Sequence, residues 1–400
     1  MTIPVHEEWL SVQRELHAVV SAAGPELFRA VGSALDGQGP AILPLSPALP
    51  APALRATLEA LRPTHVDGVR REDGVGVPAE VAVVIATSGS TGTPKGVQLS
   101  AEALRASASA SLRRLDAGAG ERWLCCLPPS HVSGLQVLVR ALLGGTEPIT
   151  HEGFCPEAVL TSGADHVSLV PTQLRRLLHA DLSVFKTILL GGAAAPPDLL
   201  DAARAAGARV VTTYGMSETC GGCVYDGEPL DGVGVGIGGD GRIRLSGPVL
   251  FSGYRLQRGL TEAARDGDWF LTSDLGALDD GRLRVLGRAD DVINTGGEKV
   301  VAAAVAAALA EHPAIIDVAV VGRPDPEWGE RVVAFVVSQA PPSLAELRAF
   351  AKERLPAYAA PAELIIMTEI PLLANGKPDL ETLRYGRDRE PWRRCHTSKG

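Results

Sequence analysis

The sequence predicts an α/β protein: a large layered domain, residues 1–287, followed by a small α+β domain, residues 288–400. Three observations predict it. Apolar runs of strand length, Val81 to Ala86, Trp123 to Leu127, Val167 to Val170, Thr187 to Leu190 and Arg209 to Thr213, alternate with helical stretches. That alternation is the pattern of a sheet covered by helices. Beyond about Gly232 the runs shorten and tight turns separate them, and the last stretch has the size and mixed pattern of a separate unit of about 110 residues.

The elements follow in order. Residues 1–80 read as helical pieces joined by Pro-rich connections such as Pro40 to Pro52. Val81 to Ala86 is wholly apolar and reads as a buried strand that runs into a Ser/Thr/Gly loop. A helix over Ala101 to Leu115 follows, with Ser100 as its N-cap. Helical stretches at Thr172 to His179 and Pro197 to Ala206 separate the next strands. Gly241 to Gly253, Trp269 to Leu271 and Leu278 to Leu286 read as short strands. The charged segment Gly287-Arg288-Ala289-Asp290-Asp291 marks the domain boundary. An Ala-rich helix (Val301 to Glu311), strands at Asp317 to Val321 and Arg331 to Val337 around Pro-Asp-Pro, and a helix at Ser343 to Leu355 complete the small domain. The polar tail from Arg387 is expected to fray.

A chain of 400 residues buries a sizeable core without disulfides. Its net charge of −9 argues against general nucleic-acid binding, which needs a basic footprint. Six cysteines form no disulfide framework, so a reduced cytoplasm is expected. Met1 to Leu10 carries two acids and no apolar stretch, so no signal peptide is expected, and no apolar run is long enough for a membrane span.

The chemistry begins at Thr87-Ser88-Gly89-Ser90-Thr91-Gly92-Thr93-Pro94-Lys95-Gly96. Glycines let the backbone turn sharply and aim amides at an anion, the hydroxyls add donors, and Lys95 adds charge. Set between a strand and a helix, such a loop suits a polyphosphate. The Gly-Lys-Ser/Thr ending of a Walker loop is missing.

This loop closely resembles the signature of the adenylate-forming (AMP-binding) superfamily of acyl-CoA synthetases, luciferases and peptide-synthetase adenylation domains. Further motifs follow in that family's order: Thr213-Tyr214-Gly215-Met216-Ser217-Glu218-Thr219, then Ser273-Asp274-Leu275-Gly276, then Gly287 to Asp291, then Asn375-Gly376-Lys377. The resemblance spans residues 81 to 379. Singly, Glu218 fits a helix N-terminal acid and Lys377 a hairpin lysine; the shared order favours the functional reading. It implies ATP, Mg²⁺ and coenzyme A as partners. Thr87, Ser88, Gly89, Ser90, Thr91, Gly92 and Lys95 then hold phosphates, and Glu218 with Thr91 holds the metal. Thr219 or Thr91 touches phosphate; Tyr214 stacks on adenine above Gly215, with Gly192 against the ring. Asp274 takes the ribose hydroxyls, Arg288 reaches ribose or phosphate, and Lys377 bridges the ribose and the reacting groups. Asp290 is the implied hinge, and Gly296 and Gly297 line the path of the CoA arm.

Leu127 to Leu135 precedes an apolar helix ending near Arg140, and in the superfamily this segment lines the acyl pocket. With Met216 to Asp226, it resembles the o-succinylbenzoate–CoA ligases of menaquinone biosynthesis, actinobacterial members above all. That resemblance implies that Ser133 and Arg140 hold the acyl substrate, with Gly215 against it; His131, in the same segment, is a candidate catalytic residue. A buried arginine on an apolar helix needs an anion. The Cys220-x-x-Cys223 pair lacks a second ligand pair, so neither zinc nor redox chemistry is expected there.

The phosphate loop begins earlier in the chain than in typical members of the superfamily, which implies a shortened N-terminal subdomain. The expected reaction is ATP-dependent ligation of a carboxylic acid, 2-succinylbenzoate first, to CoA. The alternatives are another aryl or fatty acyl–CoA ligase, a carrier-loading adenylation enzyme, or an inactive nucleotide-binding homologue. Small-molecule acid, ATP and CoA are the expected partners, without nucleic acid or membrane insertion, and a homodimer is allowed for.

Overall fold

In a computed structural model the chain is described over residues 13–87, 94–372, 378–386 and 393–394. It divides into two compact units. Met1–Ala195, Leu199–Val235 and Leu245–Phe270 form the first; Pro196–Asp198, Gly236–Arg244 and Leu271–Gly400 form the second.

The first unit holds two seven-stranded sheets. In one, strand Val81–Thr87 lies between Ala41–Leu45 and Lys95–Ser100. Its first five residues are fully buried, which is why an unbroken apolar run suits it. The strand Lys95–Ser100 returns antiparallel, Thr87 opposite Lys95, so the two strands flank the glycine-rich stretch of the sequence. Ser100 then caps helix Ala101–Leu115, its hydroxyl accepting from the Ala103 amide at 3.0 Å.

Residues 13–80 differ from expectation. Helices Pro25–Leu35 and Ala51–Leu61 are present, but so are parallel strands Leu16–Val20 and Ala41–Leu45. Every residue of Ala41–Leu45 is buried, so apolar burial outweighs the ladder hydrogen bond that Pro44 lacks.

In the second sheet, Ile149–Thr150, Trp123–Cys125, His166–Leu169, Thr187–Leu190 and Val210–Met216 run parallel. One face carries an aliphatic core including Leu124, Val167, Leu174, Ile188 and Leu199. Helix Val132–Leu143 packs on the strands of the sheet and against helix Ala101–Leu115. The chain leaves Trp123–Cys125 towards Ile149–Thr150 on one side, then returns with His166–Leu169 on the other. Such a reversal opens a crevice at the carboxyl ends of the parallel strands, where open α/β sheets bind ligands.

A charged cluster pins the start of this sheet. Lys186 Nζ lies 2.5 Å from Glu121 Oε1, and His166 Nε2 lies 2.7 Å from Oε2. These two partners hold the Glu121 carboxyl down at about 2, against a usual 4.5. Burial pushes the His166 imidazole down, against the pull of Glu121. The neutral ring therefore donates through Nε2, and its Nδ1, buried without a partner, is the bare nitrogen. Both shifts act in the same sense. The folded state binds fewer protons than the unfolded chain, so their stabilisation is present at neutral pH and lost as pH falls, His166 first and Glu121 between about 4.5 and 2. Melting temperatures followed from pH 7 to pH 3 are expected to fall more steeply for the native chain than for Glu121→Gln. Parallel curves would place the acid sensitivity elsewhere.

The second unit contains the hairpin in which Asp274 faces Arg288 across the antiparallel register. It continues with strands Val292–Thr295, Glu298–Val301, Asp317–Asp325, Gly329–Val337 and Glu363–Met367, covered by helices Ala302–Ala310 and Leu344–Lys352. Val305, Leu309, Val320, Val332 and Leu347 make its core. The strands around Pro-Asp-Pro are longer than the sequence suggests, because Pro324 and Asp325 still pair, opposite Glu330 and Gly329.

Candidate active site

The carboxyl ends of the parallel strands bring two separated motifs together. Strand Thr187–Leu190 ends in Gly191-Gly192, and its neighbour Val210–Met216 carries Thr213, Tyr214 and Gly215. A Cβ on Gly191 would lie 2.4 Å from Thr213 Oγ1, and Gly192 has φ +84°, so both positions demand glycine. At Gly215 a Cβ would lie 2.0 Å from the carbonyl oxygen of Gly221. Tyr214 is half-buried beside them.

The strand then turns through Ser217–Thr219, a single 3₁₀ turn that presents Glu218. Thr219 is fully buried, and its hydroxyl donates to the Gly221 carbonyl at 2.7 Å and accepts from the Met216 amide at 2.9 Å. Thr219 thus closes the turn from inside. The turn holds Glu218 half-buried, with its carbonyl accepting from the Phe251 amide at 2.8 Å.

Tyr254 completes this cluster. Its hydroxyl donates to Glu218 Oε1 at 2.8 Å, and Lys95 Nζ stands 5.9 Å from its ring centre. Burial, and then the Glu218 carboxylate, push the Tyr254 phenol up, so it stays a donor. Strand Gly253–Tyr254 pairs with Lys95–Ser100, which fixes Tyr254 between the loop's end and the Glu218 turn. Arg255, 2% exposed, anchors that strand by donating to the carbonyls of Leu61, Arg62, Val75 and Gly76. Sequence reasoning missed Tyr254 and Arg255. The only signal was a short Gly-Tyr-Arg stretch that matched no motif weighed there.

Glu218 Oε1 accepts the hydrogen bond of the tyrosine hydroxyl, while Oε2 has no protein partner among the described residues. A carboxylate held in this way, beside a lysine and the end of a glycine-rich loop, fits a hard divalent cation such as Mg²⁺. Thr87 lies at the loop's start, its hydroxyl 3.4 Å from the Lys95 carbonyl. Ser88, Gly89, Ser90, Thr91 and Gly92 lie outside the described residues, as does Lys377.

Helix Val132–Leu143 starts at the crevice, with His131 as its N-cap, half-buried, and Ser133 exposed in its first turn. Val132 and Gln136 approach Gly221, so this helix start neighbours the Glu218 turn. Arg140 lies on the same helix. It is 4% exposed, two turns further along the helix; its guanidinium lies 4.4 Å from the ring centre of Trp123, the first residue of its strand, and Nη2 donates to Ser168 Oγ at 3.0 Å. No carboxylate among the described residues pairs with it, and Nε is buried without a partner. Burial holds its pKa below the usual arginine value.

In the second unit Arg288 Nη1 lies 3.7 Å from Asp274 Oδ1, and Nη2 donates to Asp290 Oδ2 at 3.1 Å. Asp290 sits in the 3₁₀ turn Ala289–Asp291 that directly follows. Gly296 and Gly297, φ +59° and +83°, form the two-residue turn between Val292–Thr295 and Glu298–Val301, the φ signs a primed hairpin turn needs. Trp328 packs against Gly296, leaving no room for a Cβ there.

Against known proteins, the sequence profile of the AMP-binding enzyme family matches residues 59–241, and that of the AMP-binding enzyme C-terminal domain matches residues 304–377. A probable 2-succinylbenzoate–CoA ligase of Mycobacterium tuberculosis is 43% identical over 390 residues, covering 92% of this chain and 97% of that protein. The chain belongs to the AMP-binding, adenylate-forming enzyme family. Its similar relatives within the family include the 2-succinylbenzoate–CoA ligase of Bacillus velezensis, 36% identical over 74% of this chain and 67% of that protein. The o-succinylbenzoate CoA synthetase of Bacillus subtilis, solved with its acyl-adenylate intermediate, superposes with a TM-score of 0.82 at 29% identity, covering 95% of this chain and 90% of that one. No helix among the described residues is long and apolar enough to cross a membrane.

Proposed function

We propose that this chain ligates 2-succinylbenzoate to coenzyme A, using ATP and passing through the acyl-adenylate. The observation that carries the reading is end-to-end similarity to a 2-succinylbenzoate–CoA ligase, 43% identity across 97% of that protein. The crevice and the Glu218 turn supply matching chemistry.

In the first half-reaction a substrate carboxylate oxygen attacks the α-phosphorus of ATP and pyrophosphate leaves. Two anions must meet, so the protein's task is to neutralise and position charge. Tyr214 stacks on the adenine, and Gly191-Gly192 let the base lie against backbone. The loop from Thr87 to Lys95, including Ser88, Gly89, Ser90, Thr91 and Gly92, holds the phosphates through amides, hydroxyls and the lysine charge. Glu218, aimed by Tyr254, holds Mg²⁺ together with Thr91; the ion supplies charge neutralisation on the phosphates. Asp274 binds the ribose hydroxyls, with Arg288 beside it. Lys377 reaches the reacting carboxylate and α-phosphate. In the second half-reaction the CoA sulfur attacks the acyl carbonyl and AMP departs; Asp290 turns the C-terminal domain, residues 288–400, to bring Gly296 and Gly297 to the pantetheine arm.

The acid lies across the start of helix Val132–Leu143. His131 and Ser133 face its free carboxylate there, and the positive end of the helix dipole favours that anion. Arg140, buried further along the same helix with its Nε unpartnered, supplies the positive charge for that carboxylate, directly or through water. The enzyme works in the cytoplasm, where ATP and CoA are supplied, and assembly as a homodimer belongs to the same reading.

The test is thioester formation with free CoA across an acid panel. o-Succinylbenzoate is expected to give the highest kcat/KM, and an analogue without the ring carboxylate to fall by about 10² or more, the loss expected when a site's polar groups are left unpaired. Preference for the monoacid would transfer the chain to the general acyl–CoA ligases; transfer only to a carrier protein would make it a loading enzyme.

A further inference from the structure

A second cluster of ligand-bearing side chains lies on the first sheet, apart from the Glu218 turn. His17 on strand Leu16–Val20 stands in parallel register with His65 on strand His65–Val66. Parallel partners project to the same face, and the two rings lie 4.2 Å apart at a 40° tilt. Glu15 is two residues before His17 and so shares its face, its Oε2 3.1 Å from His17 Nε2. Leu16 and Ala18, on the opposite face, are fully buried, while the histidine–glutamate face is partly open to solvent. One atom from each of Glu15, His17 and His65 lies within 4.8 Å of the others.

We propose that Glu15, His17 and His65 form a binding site for one divalent transition-metal ion of the zinc type. Two imidazoles and a carboxylate are a borderline donor set, suited to Zn²⁺, Co²⁺ or Ni²⁺ and poorly suited to Mg²⁺, which takes oxygen ligands. The hydrogen bonds behind His65 already select the ligating tautomer. Thr64 Oγ1 donates its one proton to the Leu16 carbonyl at 2.9 Å, so towards His65 Nδ1, at 3.2 Å, it only accepts. Nδ1 therefore carries the ring proton, and the Nε2 lone pair is left for a metal, the outer-shell arrangement that metal-binding histidines usually show. For His17 Nε2 to ligate, the ring proton of His17 resides on Nδ1, and the ion takes the place of the hydrogen bond between His17 and Glu15. Arg70, the exposed antiparallel partner of His65, is a cation on this face, and its charge lowers the affinity.

His65–Val66 and Val69–Arg70 form the outermost hairpin of the sheet. An ion shared between His17 and His65 fastens that hairpin to the neighbouring strand. Because only the folded chain assembles the three ligands, binding raises stability.

The chain is stripped of metal and titrated with ZnCl₂ by calorimetry, with Co²⁺ absorption as a second readout and melting temperature as a third. The native chain is expected to bind one Zn²⁺ at this site and to melt at a higher temperature in its presence; MgCl₂ is expected to leave the melting temperature unchanged. His17→Gln and His65→Gln, both at half-buried positions, are each expected to weaken binding by about tenfold or more and to abolish the shift in melting temperature, with adenylation activity retained. Zinc binding of native strength in both variants, or a native chain whose melting is indifferent to zinc, would overturn the site.

Discussion

Glu218→Gln is expected to lower acyl-adenylate formation by a factor on the order of 10² to 10³, the usual effect of removing a group that neutralises charge in a preorganised site. Glutamine keeps the shape of the side chain and can still accept from Tyr254, so the turn built by Ser217–Thr219 persists and the missing charge is isolated. Pyrophosphate release reads this half-reaction directly. Tyr254→Phe provides the graded control: it leaves the carboxylate charged but removes the hydrogen bond that aims it, and is expected to cost about tenfold, the scale of losing one neutral donor to a charged group. A tenfold or smaller loss for Glu218→Gln, with no recovery at raised Mg²⁺, would remove Glu218 from the metal's ligands.

Lys377→Ala is expected to separate the two half-reactions. A lysine charge placed on the reacting carboxylate and α-phosphate matters when the anhydride forms, and adenylation is expected to fall by a factor on the order of 10² or more. Thioester formation from supplied acyl-adenylate is expected to fall far less, because the sulfur attacks a carbonyl already activated by its AMP leaving group. Equal losses in both assays would assign the lysine to folding of the C-terminal domain or to CoA binding.

What the sequence made legible follows from how local each signal is. Val81–Thr87 was readable because burial on both faces leaves an uninterrupted apolar run, and Ser100 because a cap is a contact three residues long. The motif residues were readable through their order. Strands Leu16–Val20 and Ala41–Leu45 were not, since each is five residues long and one contains proline. Lys95–Ser100 was hidden between a glycine-rich loop and a helix cap, and only pairing with Val81–Thr87 makes it a strand. The roles of Tyr254 and Arg255 depend on partners far away in the chain, Glu218 for one and the carbonyls of Leu61 to Gly76 for the other. For Arg140 the helix was legible but not the neighbours, since its contact with Trp123 depends on the packing of the layers.

The buried cysteines acquire a meaning once the reaction is in view. Cys125 and Cys126 end a strand at the crevice, Cys220 follows the Glu218 turn, and Cys223 lies on the next strand; all four are sealed from solvent. Burial pushes the thiols of Cys125, Cys126 and Cys223 up to about 12, and that of Cys220 up as well. An acyl-adenylate is an electrophile that any thiolate can intercept, and the thiolate is the reactive form of cysteine. By keeping these four sulfurs un-ionised and sealed, the fold withdraws them from the mixed anhydride and leaves that electrophile to the sulfur of coenzyme A.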